Sequence, residues 1–276
     1  MRPLGSLSNE GMKDPRHWQI LVLSGLLTYA VGWLGISGIG WVSLSYPLGA
    51  LAFQWGFSRW ARIPFDPRSA LISSFSLILL LHTHSLGWAV LAAGIAIGSK
   101  FLLRVDGRHL FNPTNLAIVI VLLLTDRAWL SPGQWGQGTF LGFAAVCAGL
   151  WVLHHTRRGD VTVAFGVAWM ALIFGRAQWL GDPWSIPWLQ LQNVSLLIFA
   201  FFMISDPMTL PDRRLARIGF ALLVAGVGYV LQYHFYINEG PFYALAACAP
   251  LVPLLNRRWP GERYKWPGLF HQEVIL

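Results

Sequence analysis

The sequence predicts an all-α integral membrane protein, with ten transmembrane segments in two inverted five-helix repeats and both termini cytoplasmic. Composition, the sidedness of charge and a pair of matching helix breaks predict it. Of 276 residues, 55% are hydrophobic and 12% are Asp, Glu, Lys or Arg, against a soluble norm of about 25% charged. Apolar runs recur along the whole length, which excludes a soluble domain carrying one anchor.

The runs fall at 18–37, 40–57, 69–82, 86–102, 113–125, 138–155, 161–180, 186–204, 215–235 and 240–256. With a cytoplasmic N-terminus and ten crossings, eighteen of the twenty Lys and Arg lie inside, and only Arg127 and Arg176 lie outside. A missed or added crossing would flip every later loop and erase that asymmetry. The net charge of +8 is therefore topology, and no nucleic-acid surface is expected. The first run is too long for a signal-peptide core, lacks a small-residue cleavage site and is expected to be retained. Tryptophans such as Trp18, Trp60 and Trp259 inside, and Trp88, Trp129 and Trp188 outside, fit interfacial belts.

Segments 69–82 and 113–125 fall short of the roughly 17 residues that a span needs. They belong to a pattern shared by two halves, 1–125 and 126–256, followed by a tail, 257–276. In the first half a Ser-rich helix, with Ser69, Ser73, Ser74 and Ser76, leads to His82-Thr83-His84. In the second, Asn193-Val194-Ser195 leads to Ser205-Asp206-Pro207. About thirty residues later each half starts a segment on proline: Asn112-Pro113 in one, Gly240-Pro241 in the other, where Pro250 and Pro253 break the run again. Matching interrupted segments in halves with an odd number of crossings are the mark of an inverted repeat with its site at the interface. Asn112 caps, and Pro113 suits the first helical position, so a polar helix start with free N–H donors faces the interior.

Other chemistry has less to stand on. The twelve acids lie outside the span cores, with Asp126, Asp206 and Glu239 nearest at helix ends, so ion translocation by this chain alone is not expected. The eight histidines supply no pair at mid-depth for a haem. His82, His84 and His234 share the outer side, but the default reading is interfacial hydrogen bonding, with no metal. Cys147 and Cys248 read as small buried hydrophobes. Arg176, inside a span, snorkels outward beside Trp179 or faces the cavity.

Ser99-Lys100-Phe101-Leu102-Leu103-Arg104, followed by Gly107-Arg108-His109-Leu110-Phe111-Asn112-Pro113, resembles the first signature of the NqrB/RnfD family. These are the membrane flavoprotein subunits of sodium-translocating NADH:quinone reductase and of Rnf electron-transport complexes. Phe202-Met203-Ile204-Ser205-Asp206-Pro207-Met208-Thr209 resembles the second signature. Glu239-Gly240-Pro241-Phe242-Tyr243 and Ala249-Pro250-Leu251-Val252-Pro253 resemble the last helix. The resemblance implies a urea-transporter-like fold that binds flavin within an electron-transfer assembly of the inner (plasma) membrane, with other redox subunits as partners.

One part of the pattern is missing. Family members of the respiratory complexes carry Ser/Gly-x-Ala-Thr after the fifth helix, with FMN held on the Thr by a phosphoester. Here the connection Asp126 to Gln137 contains no Thr, and Thr125 and Thr139 only flank it. The chain reads as a short, divergent member in which FMN or riboflavin is held noncovalently and covalent FMN is not expected. On that reading Asn112, Thr114 and Asn115 hydrogen-bond the ring edge or ribityl hydroxyls. Lys100, Arg104 and His109 neutralise a phosphate or a reduced flavin, and Asp206 caps its turn or accepts a ring N–H. No complete catalytic site belongs to the chain itself. Two other readings stay open: a small-solute channel or transporter lined by Asn112, Thr114 and Glu239, and a subunit that scaffolds redox partners.

Overall fold

The computed structural model describes residues 14–33, 40–131 and 159–264, which are mostly helical. Helix α1 (Pro15–Gly32) starts on a proline, and the Asp14 carboxylate accepts the Arg16 N–H at 3.0 Å. A 3₁₀ turn, Trp41–Leu44, leads into α2 (Ser45–Trp60). Helix α3 (Arg68–Leu80) runs directly into a three-residue strand, β1 (Leu81–Thr83). Helix α4 (Leu86–Leu102) is followed by the hairpin β2 (Arg104–Val105) and β3 (Arg108–His109), whose turn places Asp106 and Gly107 at positive φ, 52° and 75°. Helix α5 (Pro113–Leu124) precedes β4 (Ala128–Leu130), which pairs antiparallel with β1, Leu81 opposite Leu130 and Thr83 opposite Ala128.

The later residues hold α6 (Gly159–Leu180), α7 (Ser185–Leu191) and α8 (Val194–Ile198), which continues as a π-helical turn, Phe199–Met203. Then come α9 (Arg214–Tyr233), α10 (Gly240–Cys248) and α11 (Leu251–Arg258). The expected segments other than 138–155 coincide with helix over most of their length; 138–155, Cys147, His154 and His155 lie outside the described residues. Two of the expected spans are broken. The chain bends by 54° between Ser185–Leu191 and Val194–Met203, where Asn193 starts a new helix by accepting from the N–H groups of Ser195 and Leu196. Pro250, which has no N–H to donate, separates α10 from α11.

Among the described residues α6 and α9 are long and apolar enough to cross a bilayer, with the bent pair as a third. Helices α3, α4 and α5 are apolar but have 13, 17 and 12 residues. At 1.5 Å per residue, twelve residues reach about 18 Å, against a hydrocarbon core of about 30 Å. Where α3 stops, its extended continuation is satisfied by strand pairing inside the protein, as irregular backbone must be at membrane depth. Thr83 also donates to the Arg127 carbonyl at 2.9 Å, and Tyr46 to that of Leu81 at 2.8 Å. These two short strand pairs were not part of the all-α expectation.

Small residues let the helices approach. A Cβ on Gly240 would lie 2.5 Å from the Gly228 carbonyl, and one on Gly228 would lie 3.1 Å from Pro241 Cα, so α9 and α10 touch backbone to backbone. Phe199 packs between Phe165 and Phe242, at centroid distances of 5.3 and 5.0 Å, and joins α6, α8 and α10 in one core.

Candidate functional site

The start of α5 forms as its residues dictate. Asn112 is extended (φ −61°, ψ 122°), its Oδ1 accepts the Asn115 N–H at 3.0 Å, and Pro113 occupies the first turn. The cap is also a bridge. Asn112 Nδ2 donates to the Met203 carbonyl and to Asp206 Oδ2, both at 3.3 Å. Asp206 in turn organises the loop after the π-helical turn: its Oδ1 accepts the Met208 N–H at 3.0 Å and its carbonyl accepts that of Thr209 at 3.1 Å. Two segments ninety residues apart thus meet at one polar point.

Lys100 approaches the same point from the last turn of α4. It is buried, and its ammonium donates to the Ser69 carbonyl, Ser69 Oγ and Ser73 Oγ, each at 2.9 Å. Three neutral oxygens thus hold the cation, and the carboxylates of Asp206 and Asp66 attract it electrostatically. Between these groups lies a cleft of about 80 Å³, lined by Lys100, His109, Asn112, Thr114 and Asp206. Phe202, Met203 and Met208 form an apolar wall, and the positive end of α5 faces the space.

Five of the seven residues that the sequence singled out therefore meet in this cleft. The other two do not line it. Arg104 is exposed, because the chain turns back at Gly107 and its guanidinium donates to the Gly107 carbonyl at 2.7 Å, closing its own hairpin. Asn115 points into the protein, where Nδ2 donates to the Phe242 carbonyl of α10 at 3.0 Å and Oδ1 has no partner among the described residues. Glu239, at the start of α10, does not line this cleft either.

Charge in the cleft is set by burial. Burial pushes Asp206 up to about 6, against the opposing effects of the Met208 N–H, Lys100 and Asn112. Burial, with Lys100 and Arg104 nearby, pushes His109 down to about 3, so its imidazole is neutral at ordinary pH. His109 Nδ1 has no partner among the described residues. Arg16 also lines the cleft, locked in a ring of charges: Arg16 to Asp14 at 2.6 Å and to Asp66 at 2.9 Å, and Arg68 to both acids at 2.8 Å.

A second cavity of about 90 Å³ shares His109 and Met208 with the first and is lined further by Arg108, Asp212, Asn256 and Arg263. Arg108 pairs with Asp212 at 2.6 Å, and Asn256 Oδ1 accepts the Asp212 N–H at 2.8 Å. Arg16 and the Arg108–Asp212 pair were not singled out from sequence, and Ser69 and Ser73 were named only within the Ser-rich helix of the repeat, not as site residues. A signal for the serines existed: Ser69, Ser73 and Ser76 at i, i+4 and i+7 draw one polar stripe on an apolar helix.

The remaining polar residues have separate partners. His82 and His84 flank Trp129 at ring distances of 6.2 and 5.1 Å, and His234 packs on Phe235. Among the described residues no three His, Cys, Asp or Glu gather as a metal site. Arg176 lies 4.8 Å from the Tyr233 ring and 3.6 Å from Asp182.

Similarity to known proteins bears on this geometry. Residues 130–265 match the profile of the NQR2, RnfD, RnfE family. Of the three signatures, the second and the last lie inside the matched range, and the first lies before it. The chain is also 27% identical over 73 residues to a subunit of the ion-translocating oxidoreductase complex of Tolumonas auensis. That match covers 26% of this chain and 21% of the relative.

Proposed function

As residues 130–265 show, the chain belongs to the NQR2, RnfD, RnfE family, and from that membership we propose that it is a membrane subunit of an electron-transport complex of Rnf/NQR type, bound to other redox subunits in the inner membrane. The observation that carries a cofactor role is the convergence of Lys100, His109, Asn112, Thr114 and Asp206 on one cleft. Its donors and acceptors fit the polar edge of a noncovalently held flavin, FMN or riboflavin. Its volume, about 80 Å³, takes in such an edge and not a whole ring system, since small-molecule sites span roughly 300–1,000 Å³. A whole flavin would therefore need space beyond this cleft or movement of the Met203 and Met208 side chains that line it.

A bound flavin supplies one- and two-electron transfer, and the protein supplies position and electrostatics. Asp206 and the Nδ1 of neutral His109 accept hydrogen bonds, and Thr114 offers a hydroxyl. The Lys100 ammonium and the positive end of α5 favour an added negative charge. Phe202 and the methionines keep water from one wall. The ten-crossing inverted repeat is part of the same reading. It is supported by the two proline-started helices, α5 and α10, which are both short and are joined by the Asn115–Phe242 hydrogen bond.

The test is the spectrum of the purified full chain, expressed with riboflavin supplied. Flavin absorbance released on denaturation, with no mass adduct on the polypeptide, is expected, and Asn112→Ala should lower flavin content about tenfold, a loss of about 1.4 kcal/mol. A colourless protein would remove the cofactor reading; co-purification with redox subunits tests the subunit reading separately.

A further inference from the structure

Away from the cleft, the arginine-rich end of the molecule carries a groove of about 640 Å³ between α9 and α11. Leu215 and Leu223 on one side, and Leu251 and Leu254 on the other, are exposed along it, and Gly219 leaves its floor without a side chain. At its end stand Arg213, Arg258 and Trp259, with the Arg258 guanidinium 5.9 Å from the centre of the Trp259 ring. Arg214 and Arg257 beside them are exposed as well.

The acids at this end are largely committed elsewhere. Asp160 binds Arg217 at 2.6 Å and reaches Arg214 only at 4.0 Å, while Asp212 binds Arg108. Glu262 makes no ion pair among the described residues and offsets one of the four arginines. Among the described residues an apolar trough thus ends in net positive charge beside Trp259.

We propose that this groove binds an anionic phospholipid, with acyl chain along the leucines and phosphate between Arg213 and Arg258. The volume lies within the roughly 300–1,000 Å³ of ligand sites, and the chemistry matches: hydrocarbon for the leucines, anion for the guanidiniums. An apolar partner helix would cover the leucines but leave the arginines facing nothing of opposite charge. The inference needs the chain to sit in a bilayer and nothing about the cofactor.

The experiment uses the full chain in nanodiscs of phosphatidylcholine, titrated with brominated phosphatidylglycerol or brominated phosphatidylcholine. The readout is quenching of Trp259, taken as the difference between the unmodified chain and Trp259→Phe. The anionic lipid should quench at a several-fold lower mole fraction, and the preference should shrink as salt is raised. Arg213→Ala and Arg258→Ala should each reduce it about fivefold, since one basic side chain near a membrane surface contributes about 1 kcal/mol. Equal quenching by both lipids, or a preference that neither salt nor the substitutions change, overturns the proposal. So does a photocrosslinker at Leu254 that, in the intact complex, captures a protein helix in place of lipid. The salt dependence needs no variant, so a substitution that fails to fold leaves the test intact.

Discussion

Asn112 satisfies three groups with two side-chain atoms: the Asn115 N–H, the Met203 carbonyl and Asp206 Oδ2. Its partner Asp206 gives the site a pH dependence. Because burial raises the folded carboxyl to about 6 from an ordinary 3.8, the native chain holds that proton more tightly than the unfolded chain. The associated stability is present below about 4 and is lost as pH rises through about 6. Asp14 and Asp66 work in the opposite direction. Burial pushes their carboxyls up, but Arg16 and Arg68 outweigh it and hold both below the ordinary value, so their contribution is lost only as pH falls below that value. His109 opposes Asp206 in the same window: its folded imidazole lies at about 3 against an ordinary 6.5, so the stability it contributes rises with pH up to about 6.5. The melting temperature of the full chain should therefore change little or rise slightly between pH 5 and about 7. Asp206→Asn should remove the falling component, so that the melting temperature rises more steeply with pH over that window, and leave the acid limb intact. An unchanged slope in the variant would mean that another group titrates there.

Away from the cleft, elements meet because small residues let them. At Gly240 an added Cβ would lie 2.5 Å from the Gly228 carbonyl and 2.9 Å from the Gln232 nitrogen, both backbone atoms that cannot swing aside. Gly240→Ala should therefore destabilise by about 3 kcal/mol, the upper part of the overpacking range, whereas Gly166→Ala, with open space around it, should be nearly neutral. Thermal unfolding of the two variants checks the contrast. The same elements show what sequence can reveal. The α5 start was legible because capping is local chemistry, settled by a few adjacent residues, whereas the break at Asn193 falls inside the run expected as one span, 186–204. Strand β1 was not legible, because its extended form depends on a partner, β4, some fifty residues away. Arg104 was assigned to the cleft on charge alone, and the Gly107 turn, a backbone property, carries it away. The Arg108–Asp212 pair left no local trace, since its members are 104 positions apart.

For the molecule as a whole, that pair belongs to a set of polar links between residues before and after position 125. Asn112 reaches Met203 and Asp206, Asn115 reaches Phe242, Arg263 reaches the Asp106 carbonyl, and β1 pairs with β4. Arg108 to Asp212 is the charged member, with both side chains mostly buried, at 8% and 14% exposure. Each of the two lines the cavity next to the cleft, so the link between halves is also a wall of the site. A buried pair contributes little net stability, because desolvation offsets attraction, but removing one partner strands a charge and costs about 3–5 kcal/mol. Asp212→Ala should be the harsher single change, since it leaves the Arg108 guanidinium, whose Nη1 already has no partner among the described residues, without its carboxylate. Adding Arg108→Ala should recover part of the loss, with a coupling of about 1–3 kcal/mol in a double-mutant cycle on the full chain. If the double variant is as unstable as the sum of the singles, the pair is not what ties the halves together, and the neutral bridges through Asn112 and Asn115 carry that role.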